Sequence, residues 1–323
     1  MAIVKTTGTY KSTCKAYDID IFYAVWKDDK VKKPIGILQL THGWAEYIER
    51  YEEMAEYMAK AGYIVCGQDH LGHGKTCGLA NRGVYPPKAG KWMVEDMHTL
   101  RKIMQKQYPK LPYMLYGHSL GSLMTRTYIS KYGKGLKACV ICGTVPIPRF
   151  AYLLNPIFYT AAKFICNFDK EVKKNEAKFA ENPISEEITS NKMDLMGKLT
   201  TSWLSYDYNN RYTYFNNPYT TLIISTTLLD MFPATLNAGK FGWAKRVPRD
   251  LPILVVSGKA DLAGAYTLGP REAYKKLKRS GHKVRMKLYH GKHEIHNEGK
   301  IKDKVLKDQL DFYNKHNPLY KKK

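Results

Sequence analysis

The 323-residue sequence lacks any uninterrupted apolar run of about 18 residues, the length that a membrane-spanning helix requires. The most apolar stretch, residues 222–232, is broken by three hydroxyl side chains and by Asp230. The first 20 residues contain no hydrophobic segment of the kind that directs secretion. We therefore expect a soluble, cytoplasmic protein with no membrane-spanning helix.

Acidic residues are also scarce, since 29 Asp and Glu stand against 52 Lys and Arg, for a net charge of +23. The excess is densest in residues 271–323, where 17 basic residues face 6 acidic ones. Such a charge favours anionic partners. No nucleic-acid-binding module occurs in the sequence, so we expect no nucleic-acid partner. We therefore expect the positive charge to serve solubility or peripheral contact with an anionic membrane. It does not indicate an oligomeric state.

Cysteine is infrequent, with six residues in the chain. Without an export signal, a chain of this length is not expected to be a disulfide scaffold. Cys139 and Cys142 form a C-x-x-C pair within an apolar run that predicts a buried strand. Residues three apart on a strand point to opposite faces, so the pair is poorly placed for a metal or a disulfide. Both are predicted to be core residues.

Apolar runs typical of strands alternate with helical patterns along most of the chain, which predicts an α/β fold with a mostly parallel sheet flanked by helices. The predicted strands are residues 35–41, 63–67, 113–116, 137–142, 252–257 and 284–289. The predicted helices are residues 47–61, 91–107, 120–132, 268–280 and 299–315.

The alternation stops between residues 147 and 243, where the pattern is helical and rich in loops and holds 17 of the 40 aromatic residues. We interpret this segment as a cap inserted over the active-site end of the sheet, whose aromatic side chains form its own core and in part bind an acyl group. The predicted domains are a first core part at 1–146, a cap at 147–245 and a second core part at 246–323.

The strongest motif is Gly117-His118-Ser119-Leu120-Gly121. G-x-S-x-G alone is weak, but here it directly follows a predicted strand and opens a predicted helix, as a nucleophile elbow requires. Gly117 and Gly121 would allow strand and helix to approach closely, and the turn would present the Ser119 hydroxyl at the top of the sheet. Ser119 is the predicted nucleophile.

A serine nucleophile needs a base, and the base needs an orienting acid, which follow in the order Ser, Asp, His in this architecture. Asp261 directly follows a late strand and is the predicted acid. Three histidines compete for the base. His293 lies in the loop after Gly291 and is preferred over His296, the fallback, and over His290, at the end of its strand.

The oxyanion hole requires two backbone N–H groups. Leu120, the residue after the nucleophile, is expected to supply one, and Trp44, in the loop after the strand at 35–41, the other. His42 and His118 are interpreted as structural hydrogen-bonding residues, and the Asp69–Gly74 segment as a loop that braces the site.

Five motifs in this order resemble the monoacylglycerol lipase and lysophospholipase-like branch of the α/β-hydrolases, which is also labelled serine aminopeptidase-like. The motifs are His42-Gly-Trp-Ala-Glu46, Arg50-Tyr-Glu-Glu53, Asp69-His-Leu-Gly-His-Gly74, Gly117-His-Ser-Leu-Gly121 and His293-Glu294. The resemblance covers about residues 10–145 and 250–316. The resemblance implies an eight-stranded core, no metal or cofactor, and hydrolysis of acyl esters. It also implies a triad of Ser119, Asp261 and His293, and an oxyanion hole at Trp44 and Leu120.

Two features depart from that branch. The acid loop reads Ala260-Asp-Leu-Ala-Gly264, where many relatives carry proline and valine after the aspartate. Trp44 stands where a small residue is common, which would narrow an acyl pocket. The cap gives no alignment that would transfer a substrate.

The sequence thus predicts a serine hydrolase that acts through an acyl-enzyme on a small acyl ester, such as a monoacylglycerol or lysophospholipid. Two alternatives remain open. One keeps the triad for a short-chain or aromatic esterase or a peptidase, and the other is a non-catalytic binding protein of this fold.

Overall fold

The architecture is taken from a computed structural model, which describes residues 3–147, 201–220, 230–231, 237–240 and 242–321. Within these residues, eight strands form one sheet in the order β1-β2-β4-β3-β5-β6-β7-β8. The strands are β1 Ile3–Lys11, β2 Asp20–Asp28, β3 Gly36–Thr41, β4 Tyr63–Gln68, β5 Tyr113–His118, β6 Leu136–Cys142, β7 Ile253–Gly258 and β8 Val284–Tyr289. The β1–β2 and β2–β4 pairs are antiparallel, and all the other pairs are parallel.

Helices follow most of the strands, as parallel connections require. The α-helices among the described residues are α1 Glu52–Lys60, α2 Gly74–Cys77, α3 Ala89–Gln107, α4 Leu120–Tyr132, α5 Tyr208–Asn216, α6 Leu268–Arg279 and α7 Lys302–His316. None of the described helices is both long and apolar enough to span a bilayer.

The core consists of two apolar layers, one on each face of the sheet. Along β4, Ile64 and Cys66 belong to one layer, while Tyr63 and Val65 belong to the other. This alternation explains why the central strands are continuous apolar runs, since a parallel sheet is covered on both faces. The carboxyl ends of the parallel strands remain free to carry functional loops.

The predicted fold is confirmed: the sheet is mostly parallel, has eight strands and is flanked by helices. Cys139 and Cys142 are buried in opposite layers, as predicted for core cysteines. Strands β1 and β2 were not individually predicted. The reason is clearest for β1, whose side chains are largely exposed at the sheet edge and mostly polar, so that it lacks a strong apolar pattern.

Much of the predicted cap at 147–245 lies outside the described residues, including 148–200 and 221–229. The three-part division of the chain therefore stays a prediction. One observation on the described residues agrees with it. Parallel pairing joins β6, which ends at Cys142, directly to β7, which begins at Ile253, so the intervening chain is inserted between neighbouring strands.

Candidate active site

Ser119 occupies the sharp turn between β5 and α4. Its backbone has φ +52° and ψ −117°, an uncommon conformation for a residue with a side chain. Its N–H donates to the Cys142 carbonyl at 3.0 Å, which ties the turn to the end of β6. The side chain is half-buried. This is the backbone geometry of a nucleophile elbow.

Close packing around the elbow explains its two glycines. A Cβ on Gly117 would collide with Thr125 Oγ1 and the Gly121 carbonyl, and a Cβ on Gly121 would collide with the Thr41 and His42 carbonyls. The amino end of α4 is thus pressed against the ends of β3 and β5. Any side chain at these positions would push the helix away and move Ser119.

We expect Gly121→Ala to lower the free energy of unfolding by about 3 kcal/mol or more, because the obstructing atoms are backbone and cannot rotate away. Chemical denaturation would measure the change. Gly281→Ala is the matched control, because Gly281 has φ +83° but meets only the Arg249 side chain at 3.7 Å. Backbone strain at that position costs about 1–2 kcal/mol. Equal stability of the two variants would contradict the packing argument.

Asp261 and His293 form a buried hydrogen-bonded pair on the loops that follow β7 and β8. His293 Nδ1 lies 2.8 Å from Asp261 Oδ1. The carboxylate also accepts from the Gly264 N–H and the Ser257 hydroxyl, each at 2.9 Å. Burial alone would raise the pKa of Asp261, but the charge of His293 and these donors lower it below its ordinary value. When the ring is neutral, the hydrogen that Nδ1 donates to the carboxylate leaves Nε2 free to accept a proton.

The two competing histidines have other surroundings. His290 is exposed, and its Nε2 lies 3.2 Å from Lys259 Nζ. His296 is buried, stacks on Tyr51 with ring centroids 4.9 Å apart, and places Nδ1 3.3 Å from Tyr116 Oη. Hydrogen bonding to an acid therefore favours His293 as the base, while the assignment stays a prediction.

The predicted oxyanion loop lies against the nucleophile. A Cβ built on Gly43 would be 3.1 Å from Ser119 Cβ, so the loop backbone contacts the serine. The Gly43 N–H donates to Glu46 Oε1. Among the described residues, neither the Trp44 nor the Leu120 N–H donates to a protein acceptor. Both amides are thus available for an oxyanion.

The Trp44 side chain has its own role in the structure. Its indole N–H donates to Tyr85 Oη at 3.2 Å, and the ring packs against the apolar layer below. This contact fixes the bulky side chain beside the oxyanion loop, where relatives were expected to carry a small residue.

The Asp69–Gly74 segment braces the oxyanion loop, as predicted. The His70 N–H donates to His42 Nε2 at 3.0 Å, and the two rings stack at 3.9 Å. His42 Nδ1 donates to the Gly43 carbonyl at 2.7 Å. Burial is the main cause that lowers the pKa of His42 and brings that of His70 to about 3, so both rings are neutral. Asp69 accepts from the Ile48 and Lys75 amides, both at 2.7 Å.

Residues 201–220 contact the loop that carries His293. The Trp203 ring lies 5.3 Å from the His293 ring, centroid to centroid. The Glu294 N–H donates to the Leu204 carbonyl at 2.9 Å, and Glu298 accepts from the Tyr206 N–H at 2.7 Å. An aromatic segment therefore lies directly beside the proposed base.

A buried ion pair lies where residues 201–220 contact the loop that carries His293. Arg50 donates to Glu294 at 2.6 Å, and Asn210 donates to the same oxygen at 3.0 Å. Burial opposes the ionisation of Glu294, but the charge of Arg50, together with the neighbouring histidines and the Asn297 hydrogen bond, lowers the pKa of Glu294 below its ordinary value. The motifs containing Arg50 and Glu294 were identified in the sequence, but their pairing was not predicted.

One group among the described residues has the spacing of metal ligands: His118, Cys142 and His296, whose donor atoms lie within 4.8 Å of one another. The group is poorly suited to an ion. Both ring nitrogens of His118 already contact protein acceptors, and burial raises the pKa of the Cys142 thiol, which opposes the thiolate that a metal needs.

Comparison with known proteins places this geometry in a family context. Residues 32–300 match the family described as serine aminopeptidase, S33. The monoacylglycerol lipase of Mycolicibacterium smegmatis is 31% identical over 163 residues, which cover 50% of this chain and 55% of that protein. The chain thus spans about half the length of this relative. The monoglyceride lipase homolog of Monkeypox virus is 25% identical over 305 residues, covering 89% of this chain and 92% of the viral protein.

A solved structure provides a comparison over nearly the whole chain. The thermostable carboxyl esterase of Bacillus coagulans, in complex with glycerol, superimposes with a TM-score of 0.76 at 29% sequence identity. The match covers 98% of this chain and 99% of the esterase.

Proposed function

The chain belongs to the serine aminopeptidase S33 family, in the monoacylglycerol lipase-like branch of the α/β-hydrolases, and from this membership we propose that it hydrolyses carboxylic esters. The observation that carries the proposal is the Asp261–His293 hydrogen bond. It lies on loops after the carboxyl ends of parallel strands, at the same end of the sheet as the Ser119 elbow. Family membership alone would leave the nucleophile and base unassigned. The geometry supplies one candidate for each role.

In the proposed reaction, Ser119 Oγ attacks the ester carbonyl carbon while His293 Nε2 accepts the hydroxyl proton. Asp261 holds the ring and stabilises the imidazolium that forms. The Trp44 and Leu120 amides donate to the oxyanion. The imidazolium then protonates the departing alcohol, which leaves an acyl-Ser119 ester. Water attacks that ester while His293 accepts one proton of the water. The bond from the acyl carbon to Ser119 Oγ then breaks, His293 returns the proton to Oγ, and the carboxylic acid departs.

We propose a single-chain lipid ester of the monoacylglycerol or lysophospholipid type as the substrate. Support comes from the names of the mycobacterial and viral relatives, and from the glycerol complex of the bacterial esterase. Within this chain, Trp203 beside His293 and Trp44 against Tyr85 provide apolar surface near the reacting groups. The cap residues outside the described ranges carry further aromatic side chains.

A chain-length series tests the substrate class. We expect hydrolysis of nitrophenyl esters of two to sixteen carbons to peak at eight carbons or longer, and a monoacylglycerol of the same acyl length to be hydrolysed. Buried methylene groups add binding energy of about 0.8 kcal/mol each, so a long acyl pocket gives rising kcat/KM. Enzyme inactivated by a fluorophosphonate is the matched blank.

Other outcomes of the series favour the two alternatives. A steady fall from two to twelve carbons would reject the lipid substrate and retain a short-chain esterase. Cleavage of amides without esters would indicate a peptidase. An absence of both turnover and fluorophosphonate labelling at Ser119 would contradict the proposed function and favour a binding protein.

Peripheral contact with an anionic membrane and a cytoplasmic location remain parts of the proposal. The net charge of +23 supports the first. So do exposed aromatic side chains on the segment before and within α5, of a type favoured at membrane interfaces: Tyr206, Tyr208, Tyr212 and Phe215.

A further inference from the structure

His118, the residue before the proposed nucleophile, lies between two loops of the site and contacts an acceptor through each ring nitrogen. Its Nδ1 is 3.1 Å from Glu46 Oε1, in the oxyanion loop. Its Nε2 is 3.2 Å from the backbone carbonyl oxygen of His293. The ring is buried, and it packs 4.6 Å from the His293 ring, centroid to centroid.

The two acceptors determine which hydrogens the ring carries. A backbone carbonyl can only accept, so Nε2 must carry a hydrogen to bond His293. Glu46 Oε1 already accepts from the Tyr51 hydroxyl at 2.9 Å and from the Gly43 N–H, so this oxygen faces its neighbours as an acceptor. It accepts from Nδ1 in the same way, so Nδ1 carries a hydrogen as well. A ring with both hydrogens is an imidazolium.

The charges around the ring balance only when it is cationic. Glu46 and Glu294 are buried carboxylates, and Arg50 lies between them, 2.6 Å from Glu294 Oε2 and 3.7 Å from Glu46 Oε2. One guanidinium cannot neutralise two carboxylates. A protonated His118 completes a neutral buried group of four charges, which is far less costly than an uncompensated buried charge.

We propose that His118 is a charged positioning residue, whose imidazolium holds the oxyanion loop, through Glu46, in register with the backbone of the proposed base, His293. The catalytic consequence rests on the proposed function, while the charge state of the ring does not. His118 touches no reacting atom in this role. It fixes the loop whose amides would donate to the oxyanion relative to the ring that would remove the serine proton.

The titration behaviour follows from the groups that face the ring. These are Glu46, Glu294, Tyr51, Cys142, His293 and His296. Burial disfavours the charged ring, but the hydrogen bond and charge of Glu46, together with the charge of Glu294 and the His293 carbonyl, raise the pKa of His118 above its ordinary value. The stabilisation is therefore fully present below the unfolded pKa of about 6.5 and is lost as the pH rises through the folded pKa.

Nitrogen NMR of the whole chain labelled with ¹⁵N-histidine tests the charge directly. The His118 signals are assigned by their absence from the spectrum of His118→Gln. We expect both ring nitrogens to show imidazolium shifts at pH 7.5, unlike those of His42, which is neutral. Neutral shifts at this pH would overturn the proposal, whether or not the protein hydrolyses esters.

The variant Glu46→Gln removes the counter-ion of His118 and adds a second measurement, the pH at which His118 titrates. A merely structural role of His118 would leave the pH dependence of kcat unchanged. Loss of a charge partner at this distance is expected to lower the midpoint of the His118 titration by about one to three pH units. The alkaline decline of kcat should move down with it, and kcat at pH 8 should fall by about 10- to 100-fold through misplacement of the two loops. Glu56→Gln, at an exposed pair with Lys60, is the matched control.

Two results keep this test separate from that of the proposed function. Fluorophosphonate labelling of Ser119 reports the nucleophile independently of the pH profile. If Glu46→Gln does not fold, His118→Gln serves instead, because its amide can still donate to the His293 carbonyl but cannot titrate. Loss of the alkaline decline in His118→Gln supports the proposal, and an unchanged pH profile contradicts it.

Discussion

Replacing Ser119 with alanine is expected to lower kcat for a nitrophenyl ester by about 10⁴-fold or more, because no acyl-enzyme can form without the hydroxyl oxygen. Substrate binding should change little, since the Ser119 side chain is small and the pocket would remain. The fold should be unaffected, because alanine adds no atom to the elbow. Initial rates under saturating substrate, together with a melting curve, measure both effects.

Ser122 provides the matched control for that variant. It lies one turn further along α4, is buried, and donates its hydroxyl to the Ser119 carbonyl oxygen at 2.5 Å. Its hydroxyl is committed to the helix, so Ser122→Ala should retain kcat within about tenfold and remain labelled by a fluorophosphonate. If Ser119→Ala keeps the parent rate, or if labelling follows Ser122, the nucleophile is wrongly assigned.

The features that could be predicted from the sequence are those encoded by neighbouring residues. The central strands are continuous apolar runs because both sheet faces are covered. The elbow combines a motif of five residues with the strand before it and the helix after it. The loops that carry Asp261 and His293 follow β7 and β8, so predicting these strands also predicts where the two loops begin. The catalytic roles of the two residues stay predictions.

The buried charge network around the site could not be predicted in the same way. Arg50 and Glu294 are separated by 244 residues, and either would be expected on the surface by composition alone. Glu46 and His118 are separated by 72 residues, and only the pairing of β3 with β5 brings them together. The sequence predicts a structural histidine at position 118, but the two acceptors that define its charge come from distant parts of the chain.

The acid loop shows a second limit of sequence reasoning. The sequence shows that residues 260–264 differ from the pattern of the resembling family, but it does not predict the backbone conformation of the residues that follow. Residues 265, 266 and 267 have φ of +48°, +49° and +86°, a left-handed turn without glycine. Tyr266 donates its N–H to the Asp261 carbonyl at 2.8 Å, and Gly264 donates to the carboxylate. These two hydrogen bonds tie the loop to the residue that carries the acid.

Asp261→Asn is expected to lower kcat by about 10⁴-fold while leaving the fold intact. The amide has the same shape as the carboxylate, and its oxygen can accept from Gly264 as Oδ1 does. It cannot stabilise the imidazolium that His293 becomes when Ser119 attacks. In the opposite rotamer, the NH₂ group takes the place of Oδ1, which also faces His293, and donates to Nδ1. This selects the ring tautomer whose Nε2 carries a hydrogen and cannot act as the base.

The pH dependence of kcat distinguishes this loss of catalysis from a general disturbance of the fold. Because the pKa of Asp261 lies below its ordinary value, the carboxylate is charged in the folded protein throughout the neutral range. Its contribution to stability is present above the unfolded pKa of about 3.9 and is lost only as the pH falls through the folded value. The parent and Asp261→Asn should therefore differ in rate at every pH from 6 to 9. An exposed substitution, Asp250→Asn, should match the parent in the same assay. A loss below about tenfold in Asp261→Asn would show that another group orients His293, since orientation and tautomer selection are what the acid supplies.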